Sequence, residues 1–268
     1  VSDFFPLTDE KGVQRWVLLS SINPGGPQGG SATQYFIGSF DGKNFTPQDK
    51  LTRWIDHGAD NYAGVTWSDI IKADGRRLFL GWMSNWQYAN VVPTGVWRSA
   101  MTLPREIKLN RRGDLHELRF QPVAELDGIL GRETEATDSA SLPTGGFRLR
   151  FSSNGSEGFE LVFTNALQEQ LNISFAEGKL TVDRRKAGKS SFTDGFAAAH
   201  SVDLSGIDLE NVEIWMDAAS VEIFINNGER VMTELVFPTV PYDVVRLQRQ
   251  NARFTTQPVS RIWKYEPK

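Results

Sequence analysis

A chain of 268 residues with 40% apolar and 23% charged side chains has the balance of an ordinary globular protein, with room for one large or two medium domains. A net charge of −4 without any basic block excludes a nucleic-acid face, which needs clustered Lys and Arg. With no Cys there are no disulfides, thiolate metal sites or Cys nucleophile; three scattered His make no metal site, and no apolar run reaches the roughly 18 residues of a membrane span.

Residues 1–109 carry short β signals. Trp16-Val17-Leu18-Leu19-Ser20-Ser21-Ile22 is an apolar run closed by the turn cluster Asn23-Pro24-Gly25-Gly26-Pro27. Gln34 to Phe40 is followed by Asp41-Gly42, and Asp74-Gly75 precedes Arg77 to Met83. An Asp-Gly pair between β-rich runs marks a hairpin. Strands alternating with tight turns mean antiparallel sheets, hence a propeller, barrel or sandwich, and about six strands are too few to close a propeller of four-stranded blades.

One short helix is predicted over Gln121 to Leu130, where Val123, Leu126 and Leu130 recur at helical spacing behind Pro122. A polar linker follows from Gly131 to Gly146, so the domain boundary is placed between Asn110 and Gly146. The second half is again β. Val212, Ile214 and Met216 alternate with Glu213, Trp215 and Asp217, and Val221, Ile223 and Ile225 with Glu222, Phe224 and Asn226. Period-2 alternation marks strands with one buried face. Asn227-Gly228 turns into Val231 to Phe237, and about ten such strands with short connections suggest a β-sandwich.

The most site-like stretches are Asp60-Asn61-Tyr62-Ala63 and Gly81-Trp82-Met83-Ser84-Asn85-Trp86-Gln87-Tyr88. Sugar sites combine flat aromatic faces, which meet the C–H faces of the ring, with amides and carboxylates that bond its hydroxyls. Trp82 follows an apolar strand, as a core residue does. Trp86 lies beyond that strand, where core and site are equally open. Glu106 reads as a structural ion pair with Arg105 or Arg98. Asp183-Arg184-Arg185-Lys186 reads as a surface face or turn. No Gly-x-Ser-x-Gly, phosphate loop or metal-spaced His pair occurs.

Several stretches resemble the β-fructosidases of glycoside hydrolase family 32, the exo-inulinases, levanases and invertases. Val1-Ser2-Asp3-Phe4-Phe5 is similar to the tail of the family's Trp-Glu-Cys-Pro-Asp-Leu-Phe motif, with Val1 and Ser2 replacing Cys and Pro. Ser21 to Pro27, Gln34 to Gly42, Asp60 to Ala63, Gly81 to Ala89, Trp97 to Glu106 and, in the second half, Ser220 to Glu229 follow in family order.

The resemblance implies an all-β chain: the last blades of a five-bladed propeller over 1–109, a short helix and linker over 110–146, and a β-sandwich over 147–268. It implies retaining hydrolysis of β-fructosyl bonds by two carboxylates, with a third bonding the sugar hydroxyls. The family's Trp-Met-Asn-Asp-Pro-Asn-Gly and Arg-Asp-Pro motifs, which hold the nucleophile and the third carboxylate, are absent. The acid/base Glu falls in register one residue before Val1. All three are therefore expected upstream, in N-terminal blades missing here, and this chain alone is expected to be inactive. Val1-Ser2-Asp3-Phe4-Phe5-Pro6 is no leader; it reads like the inside of a domain.

The resemblance carries over substrate-binding residues instead. Trp86 should wall the terminal fructose, and Asp60 should bond its hydroxyls or support the acid/base. Tyr62, Trp82, Asn85 and Gln87 are further candidates. The expected partners are inulin, levan or sucrose, with no cofactor or metal, in a secreted or periplasmic protein. The alternative is a non-catalytic fructan-binding module. Asn44-Phe45-Thr46, Asn154-Gly155-Ser156 and Asn172-Ile173-Ser174 are glycosylation sequons.

Overall fold

The computed structural model describes residues 1–153, 157–248 and 253–260, so the sequon at Asn154 lies outside the described residues. The chain is all-β, and it forms two compact units.

The first unit comprises Val1–Asn90, Thr94–Val123 and Asn227–Thr233. Its strands are β1 (Ser2–Thr8), β2 (Gln14–Ile22), β3 (Ala32–Phe40), β4 (Phe45–Pro47), β5 (Arg53–Trp54), β6 (Tyr62–Thr66), β7 (Arg77–Met83), β8 (Ala100–Met101), β9 (Arg105–Arg112) and β10 (Leu115–Pro122). They form two five-stranded sheets: β1-β2-β3-β4 with β5 on β3, and β10-β9-β7-β6 with β8 on β7. The strands outnumber the six expected, because β4, β5 and β8 are too short to show alternation of their own. The Asp-Gly turn forms as expected: the Asp41 carboxylate accepts the amides of Lys43 and Asn44 at 2.8 and 2.7 Å, joining β3 to β4. Val17, Leu19, Tyr35, Ile37, Phe79, Leu118 and Phe120 are buried and form the core.

The second unit holds β11 (Thr134–Thr137), β12 (Ser139–Ser141), β13 (Phe147–Ser152), β14 (Phe159–Thr164), β15 (Gln170–Ala176), β16 (Lys179–Lys186), β17 (Ala199–Asp203), β18 (Asn211–Asp217), β19 (Ser220–Ile225), β21 (Val244–Gln248) and β22 (Arg253–Pro258). With β20 (Arg230–Leu235) they make two six-stranded sheets, β11-β22-β13-β18-β19-β20 and β12-β21-β14-β15-β16-β17. The sheets touch through Phe147–Phe163 and Phe151–Phe159, with ring centroids 6.4 and 4.9 Å apart.

Four local expectations are corrected. The helix over 121–130 shrinks to a 3-10 turn, Ala124–Ile129, with no buried residue; Gln121 and Pro122 end β10 instead, and Val123 is buried ahead of the turn. The polar stretch 131–146 is not all linker. It supplies β11 and β12, and an edge strand exposed along its length carries no apolar alternation.

The Asp183-Arg184-Arg185-Lys186 run is not a uniform surface. Side chains alternate along β16, so Arg184 turns inward. Its guanidinium donates to Glu234 at 3.0 Å and to the Phe196 carbonyl at 2.8 Å, while His200 Nδ1 lies 2.9 Å from the same carboxylate. The same alternation on β9 separates Glu106 from Arg105. Glu106 pairs with Lys108 at 3.5 Å, whereas Arg105 is fully buried against Asp56.

Candidate functional site

The Asp60-Asn61-Tyr62-Ala63 segment leads into β6, and the residues ahead of it are fixed by Asp56. That carboxylate accepts the Gly58 amide at 2.9 Å, the Thr233 amide at 2.8 Å and hydroxyl at 2.6 Å, Asn61 at 3.1 Å and Arg105 at 2.9 Å. Burial works against its ionisation, but the Arg105 charge and these hydrogen bonds hold the carboxyl below its ordinary value. The neighbouring His57 imidazole is pushed down to about 4 by burial and by the Arg230 charge.

Asp60 has no exposed surface, and Tyr88 donates its hydroxyl to the carboxylate at 2.6 Å. Tyr62 opens β6 beside a bulge: Ala63 has φ +51°, and the register shifts between Tyr62 and Val65. Such a bulge re-aims the side chains next to it. The Tyr62 ring meets Trp82, its cross-strand partner on β7, edge-on at 6.2 Å.

Beyond Met83 the chain turns on Asn85, whose carbonyl accepts the amides of Tyr88 and Ala89. The Asn85 side-chain amide is buried and spent on backbone. Its Oδ1 accepts Ser31 N at 3.2 Å and Gln87 N at 3.1 Å; its Nδ2 donates to Ala59 O at 2.9 Å and Gly29 O at 3.3 Å. Gly30, at φ +63°, permits this approach, since a Cβ there would sit 2.1 Å from Asn85 Oδ1. Trp86 follows, half exposed at 50%, with its ring 5.0 Å from Trp82 and its amide donated to Ser31 Oγ at 3.1 Å. Gln87 is exposed beside Gly29 and Gly30.

Of the six candidates, Tyr62, Trp82 and Trp86 thus make one aromatic cluster; Gln87 is exposed next in sequence to Trp86, while Asp60 and Asn85 are fully buried, bonded to Tyr88 and to backbone. Tyr88, within the site-like stretch Gly81 to Tyr88 but not among the binding candidates, bonds Asp60, and Ser31, which the sequence did not single out, bonds Trp86. Tyr88 is the one hydroxyl-bearing aromatic in the Trp82–Tyr88 stretch. Ser31 carries no signal in a Gly-rich turn.

A cleft of about 540 Å³ opens at the other end of β1 and β7, lined by Pro6 to Glu10, Asp74 to Arg77 and Glu106 to Asn110. Of its carboxylates, Asp74 and Glu106 pair with Arg76 and Lys108, and Asp9 is engaged as well. Burial opposes ionisation there, but His116 at 3.0 Å, the Val13 and Lys11 amides and Arg111 at 2.7 Å hold the group far below its usual range. Among the described residues no cluster of three His, Asp or Glu could hold a metal ion, and no helix is long and apolar enough to cross a membrane.

A model of the glycosyl hydrolases family 32 N-terminal domain matches residues 1–122, and one of the family 32 C-terminal region matches 118–263. The levanase of Bacillus subtilis (strain 168) is 33% identical over 288 residues, 98% of this chain and 42% of that protein. The extracellular exo-inulinase inuE of Aspergillus ficuum is 32% identical, over 84% of this chain and 47% of that protein. The crystal structure of exo-inulinase from Aspergillus awamori matches with a TM-score of 0.84 at 28% identity, covering 97% of this chain and 56% of that one. The chain spans about half the length of these relatives.

Proposed function

This chain belongs to glycoside hydrolase family 32, and on that footing we propose that it is the C-terminal part of a retaining β-fructosidase of the exo-inulinase or levanase type. In this reading the two five-stranded sheets are the last blades of a propeller, running through the β9–β10 hairpin to Val123, and the two six-stranded sheets are a sandwich domain. The three catalytic carboxylates lie upstream of Val1. The substrates are fructose-containing chains such as inulin and levan, or sucrose, and the protein acts outside the cytoplasm.

The observation that carries the proposal is the aromatic cluster at one end of the first unit. Trp86 is backed by Trp82 and leaves half its surface open. A Trp held this way offers a flat apolar face to the C–H side of a furanose. Gln87 adds an amide able to bond hydroxyls at the rim. Asp60, buried and bonded to Tyr88, supports the wall from behind without touching the sugar. In the proposed reaction one upstream carboxylate attacks the anomeric carbon; the other protonates the leaving oxygen and then activates water. This half of the pocket holds the ring in place for both steps, where misplacement weakens every transition-state interaction.

The test is fructose release from inulin, levan and sucrose by the gene product that carries this chain, with Trp86→Ala alongside. Release that collapses in the variant supports the proposal. Binding of fructan without release would favour the binding-module reading, and neither binding nor release would sink both.

A further inference from the structure

The segment Asn23 to Ser31 has four glycines and no strand, yet it is bonded to Trp86 of the aromatic cluster. Its backbone closes a small turn, Gly29 N to Gly26 O and Gly26 N to Gly30 O. Gln28 anchors its middle, donating to the His57 carbonyl at 2.9 Å. Its end is held by Asn85 and Ser31. Asn85 grips Gly29 O and Ser31 N with opposite ends of one amide and reaches Ala59 O as well. The Ser31 hydroxyl accepts the Trp86 amide at 3.1 Å and donates to Asn23 Oδ1 at 3.4 Å. Trp86 lies past the end of β7, so its N–H has no ladder partner, and the Ser31 hydroxyl takes that place. Both Ser31 and Asn85 are buried, at 2% and 0% exposure, so neither meets a ligand.

We propose that Ser31 and Asn85 are positioning residues for Trp86: they pin its main chain to the Gly-rich segment and so fix the angle at which its half-exposed ring meets the sugar. This rests on the reading of Trp86 as the wall of the fructose site. It reassigns Asn85 from contacting the sugar to holding the residue that does. The ring rests on Trp82 and takes its orientation from its backbone, which is bonded to the Ser31 hydroxyl.

The experiment is a double-mutant cycle in the gene product that carries this chain, read as kcat and KM on inulin with thermal melting in parallel. Asn85→Asp would set a carboxylate against two carbonyls and endanger folding, so Ser31→Ala is the working variant. Losing one neutral hydrogen bond corresponds to roughly fivefold. Ser31→Ala is expected to lower kcat/KM about fivefold, while the melting temperature moves by only about 2–4 °C. In a Trp86→Ala background the same change is expected to have no further kinetic effect, because there is no ring left to position. Additive losses, or normal kinetics in Ser31→Ala, would overturn the inference and leave Trp86 as the wall. Normal kinetics in Trp86→Ala alone would overturn the site reading and this inference with it.

Discussion

Asp56 and Arg105 face each other at 2.9 Å, with 2% and 0% of their side chains exposed. The pair joins β9 to the segment ahead of β6, and Thr233 closes it by bonding both partners, Asp56 at 2.6 Å and Arg105 at 2.7 Å. Removing one partner of a buried ion pair strands the other charge and costs about 3–5 kcal/mol. Arg105→Met should therefore destabilise the chain by that amount in chemical denaturation. Asp56→Leu with Arg105→Met together should cost less than the sum of the two alone. Because the Asp56 carboxyl is held below its ordinary value, its contribution is present above roughly pH 4 and is lost as pH falls below that.

His57 gives a slope of the same sign at higher pH. Its folded-state value is near 4, against about 6.5 when unfolded, so the unfolded chain binds the extra proton between those limits. Stability should fall as the solution is taken from pH 7 to pH 4.5, and the fall should be shallower in His57→Asn. Identical pH profiles for the two proteins, measured by urea titration, would contradict the assignment.

Trp86 and Trp82 touch, yet truncating them should give different phenotypes. Trp86 is half exposed, so Trp86→Ala should change melting little while removing sugar binding. Trp82 lies between Tyr62 and Trp86, and Trp82→Ala should cost about 3 kcal/mol, the low end for an aromatic truncation. Thermal melting together with fructose titration of the intrinsic fluorescence separates the two.

The two described sequons are not equivalent. Asn44 is exposed in the turn between β3 and β4. Asn172 lies inside β15, paired on both sides by β14 and β16, and its amide donates to Glu160 at 3.2 Å. Expression through a eukaryotic secretory pathway should add a glycan at Asn44 and none at Asn172. Intact mass before and after endoglycosidase treatment of Asn44→Gln and Asn172→Gln reads this directly.

Much of the β structure was legible in the sequence. The period of two over Val212–Met216 and Val221–Ile225 marks strands, and the turns at Asp41-Gly42 and Asn227-Gly228 have a residue that tolerates the turn; the expected single buried face fails, because Glu222, Phe224 and Trp215 on the alternate face are buried as well. What stayed hidden depends on partners distant in sequence. Arg184 looks like a surface charge and Arg105 like the partner of Glu106 until Glu234 and Asp56, 50 and 49 residues away, are brought to them. The strands at Thr134–Thr137 and Ser139–Ser141 read as linker because an exposed edge needs no apolar pattern. At the candidate site the side-chain types were visible, but their division was not. No spacing rule says that Asp60 and Asn85 are fully buried while Trp86 is half exposed.

In the function proposed here, this chain is the substrate-positioning half of a β-fructosidase whose carboxylates lie upstream of Val1. The most direct measurement is fructose release from inulin, levan and sucrose by the 268-residue chain alone and by the gene product with its upstream segment. Release is expected from the longer protein and none from the chain alone, since both nucleophile and acid/base are proposed to lie upstream. Comparable release by the 268-residue chain alone would contradict it.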